Sequence, residues 1–485
     1  MSELPPGPRE LELSAPEMRR LVMLALERLV AHVESLPRQP SADVAGGAEL
    51  ARSLRESLPE EGAPYEDLLA LLFERAVPKS FNTAGPGYLA YIPGGGLFHA
   101  GVADLIADVT NRFVGVWMAA PGLVQIEANV GRWLCEMAGY PSSALGLLTT
   151  GGSMANLIAL VTARRERLPE DFLSGVLYTS DQAHHSVQKA ALLAGFPPAR
   201  VRSVPTDGEF RIRLDALAEA VATDRAAGLR PFFLVVSAGT TNTGAVDDLG
   251  AAADAARAHG LWLHVDAAYG GFFVLTERGR RVLHGLERAD SITLDPHKGL
   301  FLPYGTGSLL VRDGGALRRA HSVHAEYLPP VPEDPDFVDY STVSPELSRD
   351  FRGLRVWLPI KMHGIAAFRR ALDEKLDLAA WAAAELRKVP GVELVAEPQL
   401  SLLAFRVVRP GLDDAALDDL NRRVMEAVNA RRRVYITSTT ARGRFLIRIC
   451  VVSFRTHLDR LQMAVEDLRA AIEEQAGHAH PSRGG

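Results

Sequence analysis

Residues 231–271 read PFFLVVSAGTTNTGAVDDLGAAADAARAHGLWLHVDAAYGG, and this stretch decides the fold class. PFFLVVSA and LWLHVDAAY are apolar without regular polar alternation, which is the pattern of strands covered on both faces. Between them, DDLGAAADAARAHG places small apolar residues at helical spacing. A strand, a covering helix and a second strand form a crossover unit whose strands run parallel. Ligands of such sheets lie beyond the carboxyl ends of the strands. GTTNTG and the residues around Asp266, which follow the two strands, are therefore where function is expected.

The same alternation extends outward. Upstream, GLLTT precedes SMANLIALVTARRE, GVLYTS precedes HHSVQKAALLAG, and VRSVP precedes RLDALAEAVATDRAAG; downstream come SITLDP and GSLLVRD. The expected fold is α/β: a mostly parallel seven-stranded sheet with helices on both faces. Residues 86–372 are assigned to this large domain. After residue 370 a long helical stretch leads to short strands and two more helices, so 373–477 are read as a small C-terminal α+β domain. Residues 15 to 34 are apolar on more than one helical face, and Pro37 and Pro40 end the run. Residues 1–85 are thus read as an N-terminal helical arm that needs a partner surface. Residues 478–485 are expected to be a disordered tail.

The chain has 485 residues, 47% of them apolar and 23% charged, with a net charge of −6. The balance does not point to nucleic acid or an anionic membrane as partner. No apolar run reaches the roughly 18 residues of a spanning helix. The N-terminus is acidic and Pro-rich, unlike a signal peptide. Two cysteines, Cys135 and Cys450, sit in no C-x-x-C. The expected setting is reducing and cytoplasmic.

Three segments at strand ends carry chemistry. Asp295-Pro296-His297-Lys298 follows SITL and precedes the apolar GLFLPYGTG, a poor place for a solvated charge. A lysine there can form a Schiff base with a carbonyl cofactor. Asp266, in HVDAAYGG, is costly to bury without a cation, and a protonated pyridine nitrogen is such a cation; it reads equally well as a helix cap. Thr149-Thr150-Gly151-Gly152-Ser153-Met154-Ala155-Asn156 lies between a strand and a helix. Its glycines let the backbone approach a phosphate at a helix N-terminus. It has neither the lysine of a P-loop nor the G-x-S-x-G of a nucleophile elbow. His184, in Gln182-Ala183-His184-His185-Ser186, can stack on a planar ring or simply start a helix. His321-x-x-His324 lacks an accompanying carboxylate motif, and no metal is expected.

In this order, TTGGS, SDQAHHS, GTTNTGA, HVDAAYGG and DPHK resemble the group II pyridoxal-phosphate (PLP) decarboxylases, the family of aromatic-L-amino-acid, histidine and glutamate decarboxylases. The resemblance runs from about residue 85 to 453. It implies a PLP enzyme of fold type I, with Lys298 as Schiff-base lysine and Asp266 as pyridinium partner. His184 would stack on the cofactor ring and Ala268 would pack on its other face. Gly152, Ser153 and His297 would hold the phosphate, and Thr241 and Asn242 would lie beside the 3-hydroxyl. Tyr91 and Pro93, in AYIP, resemble the substrate-pocket segment. Gly115 stands where aromatic-specific members often have Phe, and Phe113, close by in sequence, could compensate. Tyr304 matches an aromatic position contributed across a dimer interface. Arg349, in LSRDFRGLR, matches an arginine near the rim, and a structural salt bridge is as good a reading. Tyr327 falls where the family carries a loop tyrosine that protonates the α-carbon, a position commonly Phe in relatives that make aldehydes. The family often has Trp after the lysine; here it is Gly299.

The resulting expectation is decarboxylation of an L-amino acid, aromatic before acidic, by a PLP-dependent homodimer with shared active sites. The alternatives are an aromatic aldehyde synthase, a carbon–carbon lyase and, last, a non-enzymatic PLP-binding relic.

Overall fold

The computed structural model describes residues 9–323, 326, 334 and 337–477. The central sheet comprises β1 (Leu145–Thr149), β2 (Gly175–Ser180), β3 (Val201–Val204), β4 (Arg230–Ser237), β5 (Trp262–Asp266), β6 (Ser291–Leu294) and β7 (Gly307–Val311), in the order β1-β7-β6-β5-β4-β2-β3. From β6 to β3 every neighbouring pair is parallel. β7 is antiparallel to both β1 and β6. β1 therefore points the same way as β6, and its carboxyl end lies on the same edge of the sheet.

The inner strands are covered on both faces, as their largely apolar runs predict, while the edge strand β3 (VRSV) is partly exposed. Val176, Leu234, Val236, Leu263, Val265 and Leu310 face one core. Leu177, Phe233, Val235, Trp262 and Leu309 face the other. Each fully buried side chain of this size stabilises the fold by about 1.5–3 kcal/mol relative to exposure. On the second face lies the helix Gly152–Arg167, which packs Ala155, Ile158 and Ala159 into the sheet.

The chain then forms the helix Ile365–Arg387 and an antiparallel sheet of β8 (Val392–Leu394), β9 (Leu402–Val407), β10 (Thr437–Ala441) and β11 (Arg444–Cys450), in the order β10-β11-β9-β8. The helices Asp414–Ala430 and Leu458–Gly477 share a core with it through Val424, Val428, Leu461 and Leu468.

The first helix, Ala15–Ser35, starts at a capping box: the Ser14 side chain accepts from Glu17 N–H, and the Glu17 carboxylate accepts from Ser14 N–H at 2.9 Å. None of its residues is buried. Leu26, Leu29 and Val30 stay exposed, as do Val102, Leu105 and Ile106 on the helix Phe98–Thr110. Among the described residues no helix is long and apolar enough to cross a membrane.

Candidate active site

A cavity of about 290 Å³ opens at the carboxyl ends of β1, β2, β4, β5 and β6 and is lined by residues from all five strand ends. Lys298, Asp266, His184, Gly152, Ser153, His297, Thr241 and Ala268 all line it. The parallel run of the sheet is what gathers them, because each follows its strand on the same edge.

Lys298 lies on the short helical turn Pro296–Gly299 directly after β6. Its Nζ stands 2.9 Å from Asp295 Oδ2. Burial pulls the ammonium pKa down, but the Asp295 carboxylate, with Asp266 beyond it, more than reverses this, and the net shift is upward. Asp295 is 2% exposed and its Oδ1 has no hydrogen-bond partner among the described residues. Gly152 lets the β1 turn come this close: an added Cβ there would lie 3.1 Å from Asp295 Oδ2.

Asp266 ends β5. Its Oδ1 accepts the Ala268 N–H at 3.2 Å and its Oδ2 accepts Asn156 Nδ2 at 3.1 Å. His184 caps the helix His185–Leu193, and its Nδ1 meets Ser186 Oγ at 2.7 Å. Burial moves the His184 pKa down, against the pull of the Asp266 carboxylate. His297 has its Nδ1 2.6 Å from the Thr306 carbonyl, so Nδ1–H donates there. Burial also lowers the His297 pKa, and Asp295 opposes it. The helix Gly152–Arg167 begins at Gly151 with no side-chain cap. Its first amides are left for a ligand, and its dipole favours an anion.

The donor set fits a phosphorylated pyridine aldehyde. Lys298 offers an amine for the carbonyl, and Asp266 offers a carboxylate for the ring nitrogen. Uncapped amides with Ser153 and His297 offer hydrogen bonds to a phosphate.

Other predicted positions lie elsewhere. Asn242 is next to the cavity but not in its wall; it donates to Gln182 Oε1 at 3.3 Å and accepts from Thr439 Oγ1 at 2.8 Å. Tyr304 is 62% exposed with its ring 5.7 Å from that of His297. Tyr91 is exposed, at φ 51°, and Pro93 is buried. The segment they share passes beside the site, since a Cβ at Gly94 would collide with the His297 carbonyl. Phe113 is exposed on the surface. The structure does not bring Arg349 to the cavity. Its buried guanidinium pairs with Glu127 at 2.5 Å and stacks over Tyr340 at 4.4 Å. Tyr327 and His324 fall outside the described residues, and His321 Nε2 is engaged by Thr162 Oγ1 at 3.0 Å.

Sequence reasoning gave no role to Asn156, Ser186, His264 or Asp295. Two of these had a readable signal. His264 precedes Asp266 by two on a strand and so shares its face; Asn156 follows Ser153 by three on a helix and so shares its side.

Comparisons with known proteins point to the same cofactor. The family described as pyridoxal-dependent decarboxylase conserved domain matches residues 48–408. An aromatic-L-amino-acid decarboxylase of Bacillus atrophaeus is 36% identical over 466 residues, 96% of this chain and 97% of that protein. A crystal structure of Oryza sativa TDC with PLP and tryptamine superposes with a TM-score of 0.91 at 30% identity, covering 96% of this chain and 99% of that one. A Rhodiola rosea 4-hydroxyphenylacetaldehyde synthase superposes with a TM-score of 0.87 at 25% identity, again covering 96% and 99%. The protein is a PLP-dependent carboxy-lyase. It belongs to the pyridoxal-dependent decarboxylase family, and within it to the aromatic amino acid decarboxylase type.

Proposed function

We propose that the chain decarboxylates an aromatic L-amino acid to the corresponding amine and carbon dioxide. One observation carries the site assignment: Lys298, Asp266 and His184 share the wall of one cavity with the uncapped N-terminus of the helix Gly152–Arg167. PLP supplies an electron sink for the pair left when the Cα–carboxylate bond breaks. Lys298 would hold it, Asp266 would keep its ring nitrogen protonated, and His184 and Ala268 would flank the ring. Gly152, Ser153 and His297 would bind the phosphate, with Thr241 and Asn242 on the 3-hydroxyl side.

The residues around the cavity then act on the substrate. Closure against water removes solvation from the substrate carboxylate and favours its loss. Tyr327 would deliver the proton that Cα receives afterwards. A tyrosine there also favours the amine over the aldehyde product. An aromatic side chain is preferred to an acidic one because no arginine lies among the described residues of the cavity wall, and Arg349 is committed to Glu127.

The active unit would be a cytoplasmic homodimer. The unburied helix Ala15–Ser35 and the exposed apolar side chains of Phe98–Thr110 line one groove, with Leu21, Leu26, Val102 and Leu105 in its walls. A second copy is the natural cover for such a surface, with the arm 1–85 lying across it and Tyr304 serving the neighbouring site.

The test is carbon dioxide release from a panel of L-amino acids by PLP-loaded enzyme, with Lys298→Ala alongside and amine, hydrogen peroxide and ammonia followed. Stoichiometric carbon dioxide and amine from an aromatic acid, absent in the variant, supports the reading. Peroxide and ammonia in place of amine would make it an aldehyde synthase. No carbon dioxide from any acid, with cofactor bound, would overturn the reading.

A further inference from the structure

From the cavity wall inward, polar side chains from β5, β6 and two helices form one continuous hydrogen-bond chain, and its directions are set from a single point. Asp266, as a carboxylate, can only accept. The Asn156 amide must therefore turn its Nδ2 toward Asp266 Oδ2, at 3.1 Å. That leaves Asn156 Oδ1 facing Thr293 Oγ1 at 2.7 Å and His264 Nε2 at 3.0 Å, so both of these donate. His264 is 1% exposed, and burial lowers its pKa to about 4, so the ring is neutral. With its proton on Nε2, its Nδ1 accepts from Ser291 Oγ at 2.8 Å, and Ser291 in turn accepts from Trp262 Nε1 at 2.8 Å. Every donor on this side has a matching acceptor.

The other Nδ2 hydrogen of Asn156 points to Ser186 Oγ at 3.0 Å. Ser186 is 3% exposed. Its hydroxyl, having accepted from Asn156, directs its own hydrogen to His184 Nδ1 at 2.7 Å, and the Ser186 N–H points at the same nitrogen at 3.3 Å. A ring nitrogen that receives two donors carries no proton.

We infer that Asn156 and Ser186 are positioning residues that hold His184 as the neutral ring protonated on Nε2, with the Asp266 carboxylate dictating the direction of each bond. The two groups assigned to the cofactor ring, Asp266 and His184, are thereby linked through one amide and one hydroxyl. A change in the charge of Asp266 removes the constraint that orients Asn156, and with it the constraint on His184. The catalytic meaning of this link rests on the reading of His184 in the proposed function; the bond directions do not.

The tautomer can be read without turnover. Protein labelled with ¹⁵N in the histidine rings, with and without PLP, would be compared by NMR with His184→Gln to assign the signal. The expected result is an unprotonated Nδ1 and a protonated Nε2 at His184. Ser186→Ala should move the signal toward a mixture of tautomers and lower kcat on the order of tenfold, the scale of one lost hydrogen bond, with KM little changed. Ser186→Thr, which keeps the hydroxyl, should restore both and also controls for folding. Asp266→Asn should loosen the His184 tautomer from the far end of the chain. A proton on His184 Nδ1 in the wild type, or an unchanged His184 signal in Ser186→Ala, would overturn the inference. Neither result depends on which amino acid, if any, releases carbon dioxide.

Discussion

Lys298 Nζ lies 2.9 Å from Asp295 Oδ2, three residues earlier on the same turn. The carboxylate holds the half-buried amine in its charged form, above the ordinary lysine range, although only the free amine can attack a carbonyl. Asp295→Asn removes the stabilising charge and leaves burial to act alone. The pH profile for PLP uptake by the apoenzyme, followed by cofactor absorbance, should then move to lower pH. A profile that stays in place or moves up would show that Asp295 does not control the amine.

Asp247 sits just beyond the GTTNTG loop and is 2% exposed. Its two oxygens accept the Ile212 and Ser237 N–H groups, each at 2.7 Å. Burial raises its pKa to about 6 despite these bonds. The native state therefore holds this proton more tightly than the unfolded chain, and its contribution to stability is lost as the pH rises from about 4 to 6. Asp247→Asn must turn an NH₂ toward one of the two amides. Urea unfolding at neutral pH should show a loss of about 1–3 kcal/mol, and an unchanged midpoint would remove Asp247 from the account of how this loop is held.

His321 has the opposite sign. Burial, with Arg165 adding to it, lowers its pKa to about 4. Unfolded, the ring takes up a proton near pH 6.5; folded, it does so only near 4. Stability conferred by the neutral ring is thus lost as the pH falls through this window. At about 1.4 kcal/mol per pH unit, wild type should lose up to about 3 kcal/mol more than His321→Gln on acidification. Parallel stability–pH curves for the two proteins would count against it.

Gly299 follows the lysine and packs on Phe272, whose Cβ would lie 2.5 Å from a Cβ added at 299. Neither residue has room to grow while the other stays. Gly299→Trp alone should lower the unfolding free energy by about 1–3 kcal/mol through overpacking. Combined with Phe272→Gly, which removes the clashing Cβ with the ring, the total loss should be smaller than the sum of the two single losses, which thermal melts of the single and double variants would register. Additive losses in the double variant would mean that the two positions do not share the space.

Val102, on the groove beside the unburied first helix, tests the dimer. Val102→Glu places a charge in the proposed contact and should shift the protein toward monomers in sedimentation at micromolar concentration. Wild type that is monomeric and active would end the dimer proposal.

The sequence announced the parallel sheet because its inner strands are largely apolar without alternation, and that pattern needs no tertiary information. It also announced the edge of the sheet on which Lys298, Asp266 and His184 meet. The placement of β7 was not legible, since pairing order depends on long-range contacts that a local pattern does not encode. Arg349 shows a different limit. A motif can place an arginine near a site, but only the fold shows that Glu127 has already taken it. Asn156 and Ser186 stood in full view within their motifs, yet a polar residue gains a role only when its partners are known, and those come from β5, β6 and two separate helices.

β1 is the first strand of the large sheet along the chain and has β7, the last, as its pairing partner. The turn after β1 and the turn after β6 therefore reach one cavity only across a strand that comes later in the chain than either. Capture of PLP during refolding would report that this first-to-last pairing has formed.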